Sequence, residues 1–264
     1  MLLQNGIRVK TQTFSSMMKY LLREVIFMSE KLLTDVQRRW NEISANIAAA
    51  AAASERNMEE VTLMAVTKTV PPEKVNEAIA AGCRLLGENR VQELLEKYEQ
   101  YDKRAKIHFI GKLQTNKVKY IADKVDMIES VDSIRLAQEI DKRCALIGKT
   151  MDILLEVNIA DEANKSGFGY DDIPNVVEEI RRFEHLKLRG FMTIGRFGAE
   201  IEETRGYFKK MHALLVDIRS KKIDNKDISI LSMGMSGDYM IAVQEGATVV
   251  RVGRGLFGER KSVL

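Results

Sequence analysis

Apolar and polar residues follow two rhythms along this chain, and the switch between them recurs eight times. Short runs rich in β-formers stand at 62–68 (TLMAVTK), 83–89 (CRLLGEN), 106–112 (KIHFIGK), 127–132 (MIESVD), 152–158 (DILLEVN), 187–195 (KLRGFMTIG), 228–234 (ISILSMG) and 248–253 (TVVRVG). Between them lie segments of helical composition, among them PEKVNEAIAAG, VQELLEKYEQ, NKVKYIAD, SIRLAQEIDKRCALIG, DDIPNVVEEIRRF and TRGYFKKMHALLVDIRS. An opening helix is expected from about Glu30 to Arg56, with an Ala-rich middle. Strands alternating with helices build right-handed βαβ units around a parallel sheet. Eight such units in roughly 250 residues predict an α/β fold closed as a (β/α)8 TIM barrel. An open, doubly wound sheet shares the rhythm, because periodicity does not show how a sheet closes.

Composition narrows the class. With 45% hydrophobic and 30% charged residues, the chain reads as a soluble globular protein. Its 41 basic and 38 acidic residues nearly cancel, with no concentrated basic block, so no nucleic-acid partner is expected. Cys83 and Cys144 form no CxxC pair and three scattered histidines offer no ligand spacing, which argues against a metal site. A reducing cytoplasm fits best. Residues 1–27 hold only an interrupted apolar stretch, so neither a membrane span nor a signal peptide is expected. They read as a mobile, tag-like or mis-started extension. The natural beginning is MSEKLLTDVQRRW at Met28, and residues 28–264 are read as one domain.

A barrel places its chemistry at the C-terminal ends of the strands. There stand Lys68, Glu88, Asn89, Gly111, Lys112, Asn158, Thr193, and the turns LSMGMSGDY (231–239) and VRVGRG (250–255). This set is polar, basic and rich in glycine, with no carboxylate pair in an obvious proton-transfer role. Both turns follow the last two strands, where barrels frequently bind phosphate. In the first, the glycines permit close backbone approach and a helix is expected to start near Asp238. Neither matches the GxxxxGK[ST] of a nucleotide-binding loop. Each alone also reads as an ordinary turn. Lys68 alone reads as a lysine snorkelling into solvent. Together they face one mouth, where a partly desolvated amine among cations is readily neutral and able to condense with an aldehyde. Pyridoxal 5′-phosphate (PLP) is a phosphorylated aldehyde of this description. Arg251, if it lies in the strand, would point at the pyridine ring and weaken it as an electron sink.

AVTKT (65–69), GENRVQE (87–93), HFIGKLQTNK (108–117), NIADEANKSGF (158–168), LRGFMTIG (188–195), LSMGMSGD (231–238) and VRVGRGLFG (250–258) occur in one order. From Met28 to Arg260 the sequence resembles the pyridoxal phosphate homeostasis protein family, single-domain barrels related to the N-terminal domain of alanine racemases. The resemblance implies that Lys68 holds PLP as a Schiff base and that Asn89 lies beside it. It also implies that Ser232, Ser236 and Gly253 bind the phosphate and that Arg251 faces the pyridine nitrogen. Arg254 stands where relatives often carry a small hydroxyl, so it adds a charge to the cradle or removes a hydrogen bond. TIGRFGAE (193–200) replaces a loop that more usually contains proline, and the N-terminal extension has no recognised counterpart.

The implied function is a carrier or buffer in intracellular vitamin B6 homeostasis, with no catalytic residues. PLP-requiring apoenzymes are its expected partners, and a monomer or weak dimer its expected state. A PLP-dependent amino-acid racemase is the alternative. It would need a second acid–base group, which alanine racemases supply from a C-terminal β-domain. Because the sequence ends at Leu264, no such domain is expected here. Elsewhere, His108 is expected as a satisfied core histidine. Glu88 and Glu156 are expected to pair with Lys112, Arg189 or another cation. Lys112, Lys117, Lys119 and Lys165 read either as solvated surface or, around Lys165, as a second and weaker PLP landing place.

Overall fold

A computed structural model describes residues 33–162, 164–196, 198–221 and 228–258. The expectations for residues 1–27 lie outside this range. Eight parallel strands form a closed barrel in chain order, which settles the closure that periodicity left open. They are β1 (Thr62–Val66), β2 (Leu85–Glu88), β3 (Lys106–Phe109), β4 (Met127–Val131), β5 (Met151–Val157), β6 (Leu186–Thr193), β7 (Ile230–Ser232) and β8 (Val249–Val252). The α-helices are α1 (Asp35–Ala52), α2 (Pro72–Ala80), α3 (Val91–Lys97), α4 (Val118–Ile121), α5 (Ile134–Leu146), α6 (Ile173–Ile180), α7 (Ile201–Ser220), α8 (Tyr239–Gln244) and α9 (Arg254–Phe257).

Local sequence accounts for the element ends. Thr34 opens α1 through a reciprocal capping box with Gln37, which satisfies two backbone donors at the helix start. Val36, Ile43, Ile47, Ala50 and Ala51 are its buried residues. The helix packs against α2, α8 and α9, so it covers the seam where the last strand meets the first. Pro72 stands at the first position of α2, where its missing N–H costs nothing. Ser133 caps α5 by accepting from the Leu136 N–H at 3.3 Å.

Strand residues alternate between two interiors. One set packs outward against the helices, with Leu86, Phe109, Ile128, Ile153, Phe191 and Val250 fully buried. The other set points into the barrel. Its lower part is apolar, formed by Met64, Leu85, Val249, Met127, Leu154 and Met192. Above that floor the inward positions turn polar: His108, Glu129, Glu156, Ser232 and Arg251 are all buried. This polar layer lies directly beneath the mouth of the barrel.

Candidate functional site

The mouth holds a cavity of ≈ 620 Å³. Six of the seven expected binding residues line it: Lys68, Asn89, Ser236, Arg251, Gly253 and Arg254. Lys165 and Arg196 add two more cations to the wall, and Asp238 is the carboxylate among the lining residues. The excess of positive charge suits an anionic ligand.

The glycine–serine end of the cavity is built by the turn after β7. Gly234 has φ +87, and a Cβ there would lie 2.4 Å from that of Ala242, so the turn requires glycine. This close approach sets α8 directly after the turn and leaves Gly237 facing open space. Ser236 Oγ accepts the Gly255 N–H at 3.3 Å, tying the β7 turn to the β8 turn. Asp238 accepts the Met235 N–H within the same turn. Burial raises the Asp238 carboxyl above the usual carboxylate range, which lessens its repulsion of a neighbouring anion.

Ser232 sits elsewhere than expected. Its hydroxyl is fully buried below the cavity, donating to Glu129 Oε2 at 2.6 Å and accepting from Arg251 Nη1 at 2.7 Å. It therefore holds the arginine instead of lining the anion turn. Arg251 also donates through Nη2 to the Thr193 carbonyl at 2.7 Å, and Glu129 Oε1 lies 2.7 Å from His108 Nδ1. One chain of contacts thus runs His108–Glu129–Ser232–Arg251 across β3, β4, β7 and β8. Burial alone would raise the Glu129 carboxyl, but His108, Arg251 and Ser232 outweigh it and hold the group below the ordinary glutamate range. Burial lowers the Arg251 guanidinium, and Glu129, Asp238 and Glu156 oppose that fall. Nothing in the motif reading named Glu129. The available signal was parity: in MIESVD it shares the inward face of Met127, as Arg251 shares that of Val249.

The other acidic residues also find partners that differ from those expected. Glu88 Oε1 accepts from Thr67 Oγ1 at 2.6 Å and from the Tyr101 hydroxyl. Burial raises its pKa above the ordinary value. Glu156 accepts from Ser166 Oγ at 2.8 Å, and burial raises it too, with Lys112 and Arg251 pulling the other way. His108 is buried and satisfied, as expected, though its partner makes it part of the support beneath the site. Lys165 contacts Glu162 Oε1 at 2.6 Å and donates to the Gly195 carbonyl at 3.2 Å, so it joins two loops of the rim.

The side chains present fit a phosphorylated pyridine aldehyde. Among the described residues Asn89 Oδ1 is buried without a hydrogen-bond partner, and Asn89 lines the cavity, so an acceptor is available there to a ligand. Around it are a lysine amine, a guanidinium on the floor and a glycine–serine turn. Among the described residues no group of three or more His, Cys, Asp or Glu side chains could hold a metal ion. No described helix is long and apolar enough to cross a membrane.

Comparison with known proteins agrees with this geometry. Residues 40–261 match the model of the alanine racemase N-terminal domain family. A pyridoxal phosphate homeostasis protein of Aquifex aeolicus is 43% identical over 75% of this chain and 87% of its own length. One from Pseudomonas aeruginosa is 39% identical over 83% of this chain and 93% of its own. The structure of PipY from Synechococcus elongatus with PLP bound superposes with a TM-score of 0.70 at 32% identity, covering 80% of this chain and all of that one. The chain belongs to the pyridoxal phosphate homeostasis protein family, built on the alanine racemase N-terminal-domain fold.

Proposed function

We propose that the protein binds PLP in the barrel mouth, covalently through Lys68, and serves as a carrier or buffer in intracellular vitamin B6 homeostasis. The observation that carries this reading is convergence: Lys68, Asn89, Arg251 and the Ser236–Gly253 turn pair line one cavity although they come from β1, β2, β7 and β8. PLP supplies an aldehyde for attachment and a pyridine ring that withdraws electrons. Lys68 would supply the amine that holds the aldehyde. Ser236, Gly253 and Arg254, which line the cavity, would take the phosphate, with Lys165 near the rim. Asn89 Oδ1 would be available to a donor on the ring. Arg251, whose charge Glu129 supports, would face the ring nitrogen and disfavour its protonation. An unprotonated ring is a poor electron sink, which suits holding the group over transforming a substrate.

A non-catalytic role is supported by the curated relatives, which bear a homeostasis name at up to 43% identity. PLP-requiring apoenzymes are the fitting recipients, and a monomer or weak dimer the fitting state. A reducing cytoplasm suits the free, buried thiols of Cys83 and Cys144. The racemase alternative draws on the family fold and on Lys165, an amine lining the same cavity. Incubation with single L-amino acids separates the two: D-isomer above a Lys68→Ala background would establish catalysis.

The binding test is the absorption spectrum with added PLP, before and after borohydride. A visible band that requires Lys68 and becomes permanent at the Lys68 peptide on reduction is the expected result. An identical band in Lys68→Ala would sink the assignment.

A further inference from the structure

Lys68 is not simply the end of a strand. It is the second residue of a tight turn closed by the Val70 N–H on the Thr67 carbonyl at 3.0 Å. The third residue, Thr69, has φ +62. That position of a turn with positive φ favours glycine or asparagine, and a β-branched residue is strained there. Strain of this kind persists only where the surroundings over-determine it.

Here the surroundings are one ion pair on α3. Glu93 and Lys97 stand one helical turn apart, contact each other, and are only 14% and 13% exposed. Lys97 Nζ donates to the Thr67 carbonyl at 3.4 Å, on the peptide that precedes Lys68. The Thr69 N–H, on the peptide that follows it, donates to Glu93 Oε1. Thr67 Oγ1 is separately held by Glu88. The main chain is thus gripped on both sides of the lysine from outside the barrel, while the Lys68 side chain reaches the cavity. Glu93 ends the GENRVQE motif and does not line the cavity, so ligand binding alone leaves it without a task.

We infer that the Glu93–Lys97 pair is a positioning device for Lys68. It holds the turn in its strained form and so fixes the line along which the Lys68 amine meets the aldehyde. The inference rests on the reading that Lys68 carries the cofactor. Orientation is a rate matter: a displacement of about 1 Å at a reacting group costs up to roughly a hundredfold. Glu93→Ala should therefore slow covalent attachment while the anion turn still binds.

The experiment mixes full-length protein freed of cofactor with PLP. It follows the absorbance change by stopped flow, measures total bound PLP by equilibrium dialysis, and maps the reduced peptide. Glu93→Ala is expected to form the Lys68 link roughly ten- to a hundredfold more slowly, with total binding largely retained. Glu93→Gln keeps an acceptor for the Thr69 N–H and should recover most of the rate. Thr69→Gly, which adopts positive φ freely, should leave the rate near wild type and soften the Glu93→Ala defect. If Glu93→Ala fails to fold, the Glu93→Gln and Lys97→Met pair decides, only Lys97→Met being slow. A wild-type Lys68 label with an unaltered rate in Glu93→Ala overturns the positioning role alone. A wild-type chain with no Lys68 label overturns the cofactor reading and the positioning role with it.

Discussion

Replacing Glu129 with alanine is the sharpest probe of the layer beneath the mouth. The change leaves Ser232 without its acceptor and His108 without its partner, breaks the link that runs through Ser232 to Arg251, and removes the first of the three carboxylates that support the guanidinium. All four residues are at most 7% exposed, so water does little to compensate. Breaking a buried charged network at one member costs about 3–5 kcal/mol, because the groups that remain lose part of their compensation. Against a total stability of about 5–15 kcal/mol, that is a large share. At roughly 2–4 °C per kcal/mol for a chain of this size, the midpoint of thermal unfolding should fall by about 6–20 °C. Glu129→Gln keeps an oxygen for the Ser232 hydroxyl and loses only the charge, so it should fall between. The sign of the pH dependence is also set. The folded pKa of Glu129 is lowered, so its contribution is present above the unfolded value of about 4.3 and is lost as pH falls through the folded one. Wild type should steepen in acid where Glu129→Ala does not. Circular dichroism melts at pH 7 and along the acid limb test both points. A drop under about 2 °C in the alanine variant would refute the claim that Glu129 compensates a buried cation.

Glu88 has the opposite sign. Its folded pKa is raised by burial, so the folded state binds the extra proton and stability declines as pH rises from about 4.3 through the folded value. Glu88→Gln should flatten that limb in urea titrations, and an unchanged slope would remove Glu88 as its source. Gly234→Ala forces a Cβ to within 2.4 Å of Ala242 at φ +87. It should cost about 1–3 kcal/mol and weaken PLP retention in dialysis, whereas full retention would show that the turn does not hold the phosphate. Burial pushes the Cys83 thiol up to about 11, so the folded protein should leave it unmodified by a thiol reagent at pH 8. Rapid labelling of the Cys83 peptide without denaturant would contradict that.

The strand-and-helix rhythm was legible because each strand buries both faces and each helix only one. Strand ends were read too long where turn residues are themselves β-formers. The run 62–68 ends as a strand at Val66, since Thr67 and Lys68 enter a turn that their composition does not announce. The run 228–234 shrinks to three strand residues, because Gly234 leaves the extended region. The lining of the mouth was legible because loop motifs report local chemistry. The supports were not. Glu129 needed strand parity plus knowledge of which strands face one another. The Glu93–Lys97 grip on Lys68 depends on where α3 folds back, which spacing within the helix does not contain. Ser232 was read as part of the loop motif, whereas it ends β7 and turns its hydroxyl to Glu129 and Arg251.

The barrel's thinnest seam has a consequence for its contents. Strands β7 and β8 share a single register pair, Ser232 with Val249, whereas β5 and β6 share seven. The turns after β7 and β8 lie across that seam, bridged by Ser236 and Gly255. A ligand gripped by both turns acts as a suture, and its binding energy adds to the work of parting the two strands. Loading and breathing of the barrel are then two readings of one quantity. Amide exchange at the β7–β8 edge should report how much cargo the protein is carrying.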